Sequence, residues 1–175
     1  MIWWLGLGRG ADRCKDAESG RVPEAPGAEV LLHGTCVAFG SRAVLLRGAS
    51  GAGKSDLALR VLSAYPARTG GGGAALVADD QVQVTARAGV LQARAPTTIA
   101  GRLEVRGVGI VSVPHLREAA LALVVDLVPA REVERLPPDP LPRTEILGIP
   151  IPVARLAAFE ASSPAKLKLL VTGSL

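Results

Sequence analysis

Continuous and alternating apolar runs along the chain predict more strands than helices. Residues 30–39 (V-L-L-H-G-T-C-V-A-F) predict a strand, and residues 43–46 (A-V-L-L) predict a second strand after a tight turn. Residues 54–62 carry leucine and valine among good helix formers, which predicts a helix. Residues 74–78 (A-A-L-V-A) are uniformly apolar, as in a strand that is buried on both faces.

The middle of the chain is also rich in predicted strands. Residues 81–85 (Q-V-Q-V-T) alternate between polar and apolar side chains, as in a strand with one buried face. Residues 101–113 are mostly β-prone and contain three glycines, and residues 120–128 (A-L-A-L-V-V-D-L-V) predict another buried strand. Residues 115–119 between them predict a short helix.

The last 40 residues and the first 28 residues differ from the strand-rich middle in composition. Residues 136–142 (L-P-P-D-P-L-P) predict a proline-rich loop, and residues 162–164 (S-S-P) predict the start of a last helix that ends near Val171. Residues 1–28 are rich in glycine, proline and charge, which predicts a disordered leader. Residues 29–175 are then predicted to form one domain.

Composition narrows the class of partner. The chain carries a formal net charge of +4, which favours acidic partners such as nucleotides or an acidic protein. Its basic residues are scattered and aromatics make up only 3%, so we expect no nucleic-acid partner. The apolar stretch at the start is too short to span a membrane. Cys14 and Cys36 lie in unrelated contexts, which favours free thiols in a reducing cytosol and a cytoplasmic location.

The sequence G-A-S-G-A-G-K-S matches the phosphate-binding loop pattern G-x-x-x-x-G-K-[ST] in full, between a predicted strand and a predicted helix. Glycines in such a loop let backbone N–H groups point at phosphate, and the helix N-terminus adds positive charge. Lys54 can reach the β- and γ-phosphates of a nucleotide, and Ser55 can bind Mg²⁺. The residues predicted to bind phosphate are Gly48, Ala49, Ser50, Gly51, Ala52, Gly53, Lys54 and Ser55. The fold class that these features predict is α/β, with a P-loop nucleotide-binding core and a mixed, strand-rich sheet.

Asp79 and Asp80 follow the apolar run 74–78, where a P-loop protein often carries an acidic residue near its metal. Because adjacent strand residues face opposite sides, we expect one carboxylate to face the nucleotide and the other to face a second pocket or solvent. Carboxylates of an ordinary turn at a strand end are the alternative, which the pair of residues alone does not exclude.

Glu104 and His33 are polar residues inside otherwise apolar segments. A carboxylate in such a place needs a partner, and Glu104 has Arg102 and Arg106 as candidates for a salt bridge, or a metal. His33 precedes a glycine, and from these residues alone a hydrogen-bonded core histidine is its commoner role.

Four segments in this order resemble the HPr kinase/phosphorylase family: L-H-G at 32–34, G-A-S-G-A-G-K-S-D at 48–56, L-V-A-D-D at 76–80 and L-E-V-R-G-V-G-I at 103–110. The family's enzymes phosphorylate a serine of the bacterial phosphocarrier protein HPr and regulate the phosphotransferase system and carbon or nitrogen metabolism. The resemblance implies a phosphoenolpyruvate-carboxykinase-like catalytic domain that uses ATP and Mg²⁺.

The resemblance also implies roles for individual residues. Asp80 would be the general base that acts on the HPr serine, with His33 as an active-site histidine. Asp79 and Glu104 would serve the metal together with Ser55. Arg135, in V-E-R-L, falls where the family carries a catalytic arginine.

This chain resembles a short, single-domain form of the family. Near residues 151–158, I-P-V-A-R-L-A-A replaces an R-P-G-R-N-type segment that is linked to dephosphorylation in longer members. The reverse reaction, a phosphorolysis in which inorganic phosphate takes up the phosphoryl group and pyrophosphate is formed, therefore stays open. The resemblance implies a homo-oligomer, a hexamer in the family.

Two other functions fit the loop. A P-loop kinase of small molecules fits its size, although such kinases usually carry an arginine-rich lid and the sequence has no clear one. A nucleotide-sensing regulator that binds ATP without catalysis is the second alternative.

Overall fold

The computed structural model describes residues 28–67 and 73–173. In these residues a nine-stranded sheet carries the fold, a separate two-stranded hairpin lies beside it, and two α-helices and one 3-10 helix complete the chain. The elements are β1 (Glu29–His33), β2 (Thr35–Phe39), β3 (Arg42–Arg47), α1 (Lys54–Ala64), β4 (Ala74–Ala78), β5 (Gln81–Arg87), β6 (Val90–Arg94), β7 (Arg102–Val105), β8 (Gly109–Ser112), β9 (Glu118–Leu127), the 3-10 helix (Ala130–Glu132), β10 (Arg143–Ile146), β11 (Ile149–Leu156) and α2 (Ser163–Thr172).

The large sheet is mixed, which confirms the predicted fold class. Its strands follow the order β1-β5-β6-β9-β3-β2-β4, with β11 beside β9 and β10 beside β11. Strand β9 pairs in parallel with β3 and β11 and antiparallel with β6. Strand β2 is antiparallel to both β3 and β4. The carboxyl ends of β3, β4, β9 and β11 therefore lie at one edge of the sheet.

The central strands are buried on both faces, which explains their uniformly apolar sequences. Val44 and Leu46 of β3 pack toward the helices, whereas Ala43 and Leu45 pack into a second cluster on the opposite face. The first cluster includes Leu57 and Val61 of α1 and Leu167 and Val171 of α2. The second is filled by side chains of β5, β6, β10 and β11.

Residues 30–39 form two strands rather than the one that their apolar run predicts. Gly34 separates β1 from β2, and its backbone N–H donates to the Asp80 carbonyl over 3.1 Å. A Cβ at Gly34 would lie 2.7 Å from the Leu46 carbonyl oxygen. The chain thus crosses β3 at a distance that only glycine allows, and β1 leaves to pair with β5.

The helix predicted at residues 115–119 is wrong. The Leu76 amide donates to the Pro114 carbonyl over 3.0 Å, and the Leu116 amide donates to the Leu76 carbonyl over 2.8 Å. Strand β4 is the last strand of the sheet order, so its free edge offers these partners to a passing segment. Two long-range hydrogen bonds outweigh the weak propensity of five residues to form a helix.

The remaining predicted elements are found close to their expected places. Residues 101–113 fold as the hairpin β7–β8, and residues 136–142 form no helix or strand. The last helix begins at Ser163, with Pro164 as its second residue, and the Ser163 hydroxyl donates to the Ala157 carbonyl over 2.6 Å. In the described part of the chain, neither α-helix is long and apolar enough to cross a membrane.

Two further predictions concern the leader and the two cysteines. The leader at residues 1–28 and Cys14 lie outside the described ranges, except for Ala28. Cys36 is free and fully buried, and this burial raises the pKa of its thiol far above the ordinary value. Cys36 is therefore a core residue rather than a reactive thiol.

Candidate active site

The loop from β3 to α1 is held closed by its own lysine. Lys54 is the first residue of α1, and its Nζ donates to the carbonyls of Gly48 and Ala49 over 3.0 and 3.1 Å. Gly51 and Gly53 have φ values of 81° and 90°, which glycine adopts without the cost that a side chain adds. A Cβ at Gly53 would also lie 2.7 Å from the Ala158 Cβ. The glycines of the motif are therefore required by backbone conformation and by space.

A cavity of about 350 Å³ opens in front of this loop, at the edge where β3 and β4 end. It brings together residues from five segments that are distant in sequence: the β1–β2 break, the P-loop with the start of α1, the end of β4, the β7–β8 hairpin and the segment after β11. Its lining includes His33, Thr35, Ser50, Gly51, Gly53, Lys54, Ser55, Asp56, Asp79, Asp80, Glu104, Arg106 and Phe159.

Asp79 is the buried anchor of the site. Its Oδ1 accepts hydrogen bonds from the hydroxyls of Thr35, over 2.7 Å, and Ser55, over 3.0 Å. Its Oδ2 accepts from the backbone N–H of Glu104 over 3.1 Å. Three donors compensate a carboxylate whose residue is only 7% exposed, and they tie the P-loop helix, β2 and the hairpin to one group.

The donor set suits Mg²⁺. Asp79 and Ser55 offer a carboxylate and a hydroxyl oxygen 3.0 Å apart, and oxygen is the ligand atom that Mg²⁺ prefers. In the described ranges, no three His, Cys, Asp or Glu side chains form a cluster that could hold a metal alone. Mg²⁺ in nucleotide sites usually takes several ligands from phosphate oxygens and water. Glu104 is exposed on the same cavity wall.

Asp80 and His33 form an exposed pair at the mouth of the cavity. The His33 Nδ1 lies 3.1 Å from the Asp80 Oδ1, and the two side chains are 59% and 70% exposed. Asp80 has a φ of 65°, an uncommon conformation for a residue with a side chain. Its carbonyl is fixed by the amide of Gly34, the residue after His33. The pair can accept a proton from an incoming hydroxyl while the imidazole orients the carboxylate.

The structure brings most of the predicted site residues together. Asp79 is buried and Asp80 exposed, as alternation predicts, but both line the same cavity because the backbone turns at Asp80. Arg135 lies beyond the 3-10 helix, is exposed and does not line this cavity. Glu104 forms no ion pair with another described residue, so the salt bridge considered for it is absent there.

Two residues of the site were not assigned a role from the sequence. Thr35 donates the shortest of the three hydrogen bonds to Asp79. Arg106 lines the cavity and is exposed, and among the described residues it is the one arginine there and forms no ion pair. Pairing of β2 with β4 decides the first placement. The hydrogen bond from the Glu104 amide to Asp79, which docks the hairpin at the end of β4, decides the second, and neither contact is local in sequence.

Replacement of Thr35 by valine is expected to lower the free energy of unfolding by about 2 kcal/mol, because Asp79 would lose a buried, charge-assisted hydrogen bond. Urea denaturation measures the change. Thr85→Val is the matched control, since Thr85 is also a buried strand threonine and its hydroxyl has no hydrogen-bond partner among the described residues. Equal losses in the two variants would contradict the assigned role of Thr35.

Comparison with known proteins now identifies the family. The family model described as the HPr Serine kinase C-terminal domain matches residues 26–167, most of the chain. The chain belongs to this family. Membership confirms the resemblance inferred from the four motifs, and it places the P-loop, both aspartates and the hairpin of the HPr kinase domain inside the matched region.

Curated relatives agree with the family model. The HPr kinase/phosphorylase of Bordetella pertussis is 32% identical over 155 residues, which cover 82% of this chain and 46% of that protein. The HPr kinase/phosphorylase of Clostridium novyi is 35% identical over 133 residues, which cover 70% of this chain and 40% of that protein. The chain therefore spans less than half the length of these relatives.

A solved structure supports the fold. The Hpr(Ser) kinase/phosphatase from Coxiella burnetii superposes with a TM-score of 0.67 at 22% sequence identity. The match covers 81% of this chain and 87% of that chain. The mixed, strand-rich sheet of the HPr kinase domain is thus shared with an experimentally determined structure.

Proposed function

We propose that this chain transfers the γ-phosphoryl group of ATP to a serine of an HPr-type phosphocarrier protein. One observation carries the proposal: Asp80, paired with His33, shares a cavity with Lys54 and Ser55 of the P-loop. A proton acceptor and a phosphate cradle therefore face the same space, which a site for nucleotide binding alone does not require.

The P-loop supplies the donor half of the site. Lys54 already points its ammonium group at the inside of the loop, where it donates to two carbonyls, and it can donate to phosphate oxygens from the same place. Bound Mg²⁺, held by Ser55 with Asp79 behind it, would neutralise charge on the phosphates. Glu104 is the further carboxylate that we propose as a ligand.

The acceptor half is the Asp80–His33 pair. As the serine oxygen forms its bond to the γ-phosphorus, the bond from that phosphorus to the bridging oxygen of ADP breaks. The hydroxyl proton passes to one oxygen of the Asp80 carboxylate. The His33 Nδ1–H donates to the other oxygen of that carboxylate, Oδ1, and so keeps the side chain in place. The same groups would serve the reverse reaction, in which an oxygen of inorganic phosphate takes the phosphoryl group to form pyrophosphate and protonated Asp80 returns its proton to the serine oxygen.

The proposal includes a cytoplasmic location, a homo-oligomer, which is a hexamer in the family, and no nucleic-acid or membrane partner. Light scattering of the purified protein tests the assembly state. The transfer assay with purified HPr, labelled ATP and Mg²⁺ tests the activity, and inorganic phosphate added to phosphorylated HPr tests the reverse direction.

Arg106 is expected to stabilise the transferring phosphoryl group, because it lines the cavity as a cation without an ion-pair partner among the described residues. Arg106→Ala should therefore lower kcat by about 10²-fold, while KM for ATP changes little, as expected for a contact made chiefly in the transition state. Steady-state transfer to HPr measures both constants.

Arg102→Ala is the matched control for this prediction. Arg102 lies four residues earlier, at the start of β7, is also exposed and does not line the cavity. Similar losses of kcat in the two variants would assign the effect to hairpin charge in general, against a role for Arg106 in the reaction. The role proposed for Arg135 is tested in the same assay with Arg135→Ala.

A further inference from the structure

A second cavity of about 620 Å³ lies on the other side of the P-loop tip. Three segments form its walls: residues 49–52 of the loop, residues 127–130 at the end of β9, and residues 157–160 after β11. Ser50, Gly51 and Phe159 line both this cavity and the catalytic one. A molecule that crosses the loop at this point would therefore reach from one cavity into the other.

We propose that this second cavity binds the nucleoside of the phosphoryl donor, with Phe159 as the aromatic surface for the base. The inference rests on the proposed use of a nucleoside triphosphate. The triphosphate would pass over Ser50 and Gly51 so that its γ-phosphoryl lies in the catalytic cavity with Lys54 and Asp80.

Phe159 has the exposure and the support that such a contact needs. Its side chain is 70% exposed, whereas Phe39, the other phenylalanine of the chain, is 7% exposed and belongs to the core. Arg60 of α1 donates hydrogen bonds to the carbonyls of Ala158 and Glu160, on either side of Phe159. The helix that follows the P-loop therefore fixes the backbone on both sides of Phe159, which keeps its ring at the cavity, and aromatic rings bind bases by stacking.

The walls offer the base few hydrogen bonds. The lining is mostly apolar, and its polar side chains are Ser50 and Glu160, of which Glu160 is paired with Lys166. Several lining carbonyls are already occupied: Ala157 accepts from the Ser163 hydroxyl, and Pro129 accepts from the Glu132 amide. Stacking and apolar contact bind adenine and guanine alike, so the site should discriminate weakly between ATP and GTP.

Titration calorimetry with ATP, GTP and inorganic tripolyphosphate, each with Mg²⁺, tests the proposal. Tripolyphosphate is the probe that occupies the P-loop without a nucleoside. Phe159→Ala should lower the affinity for ATP and for GTP by about tenfold or more, because a base loses about that much when its stacking on an aromatic ring is removed. The affinity for tripolyphosphate, which has no base, should fall less than about twofold. Ala130→Trp, which places bulk in the cavity from an exposed wall position, should give the same pattern.

Leu136→Ala is the matched control, because Leu136 is an exposed apolar residue that lines neither cavity. The proposal is overturned if Phe159→Ala and Ala130→Trp leave the affinity for ATP unchanged, or if they lower the affinity for tripolyphosphate as much as the affinity for ATP. A preference of wild type for ATP over GTP of about 100-fold or more would overturn the stacking mode. Because no acceptor is present, these outcomes are independent of whether the chain phosphorylates HPr.

Discussion

Replacing Asp80 with asparagine is expected to reduce phosphoryl transfer to HPr by about 10²–10⁴-fold, the usual contribution of a general base. Asparagine keeps the shape of the side chain but cannot accept the serine proton. Asp80 is 70% exposed and makes no contact with the P-loop backbone among the bonds described, so ATP affinity should stay within about twofold.

Steady-state transfer from labelled ATP to HPr measures the first effect, and calorimetry with ATP and Mg²⁺ measures the second. Glu118→Gln is the control, because it neutralises an exposed carboxylate at the start of β9, away from the P-loop edge of the sheet. An Asp80→Asn enzyme with near-normal kcat would remove the general base from the mechanism and favour a nucleotide-sensing role.

Replacing Lys54 with alanine is expected to lower kcat by about 10²–10³-fold and to lower the affinity for ATP as well. Lys54 is 8% exposed and is the P-loop cation that we propose as the contact to the phosphates. Its loss also removes the hydrogen bonds to the Gly48 and Ala49 carbonyls, so the loop should become less ordered. This variant therefore differs from Asp80→Asn by losing binding and catalysis together.

The same two assays separate these effects, and Lys168→Ala serves as the control. Lys168 lies on α2 over the Tyr65 ring and lines neither cavity. Transfer that is unchanged in Lys54→Ala, measured on protein with a normal circular dichroism spectrum, would contradict the phosphate-binding role of the loop.

Elements with a strong local pattern were predictable from the sequence. The apolar run 74–78 and the helix that starts at Lys54 are found within two residues of their predicted ends. Segments whose structure depends on distant partners were not predictable. Gly34 breaks a continuous apolar run because β3 passes within contact distance, and residues 114–116 extend along the free edge of β4 rather than forming a helix.

The same division holds for the site. The P-loop motif and the resemblance predicted His33, Lys54, Ser55, Asp79, Asp80 and Glu104, and all of them line one cavity. Thr35 and Arg106 were not predicted because Thr35 reaches Asp79 through the pairing of β2 with β4, and Arg106 reaches the cavity through docking of the hairpin at Asp79. The apolar cavity beside Phe159 also had no local signal, since its three wall segments are separated by more than 25 residues each.

The central claim is that this chain is a protein-serine kinase for HPr, and labelled phosphoryl transfer tests it most directly. Purified chain, HPr, Mg²⁺ and ATP labelled in its γ-phosphoryl group are incubated, and the labelled residue of HPr is identified by mass spectrometry. The account predicts label on a serine with the wild-type chain and almost none with Lys54→Ala or Asp80→Asn. A wild-type chain that binds ATP and Mg²⁺ but places no label on an HPr serine would contradict it.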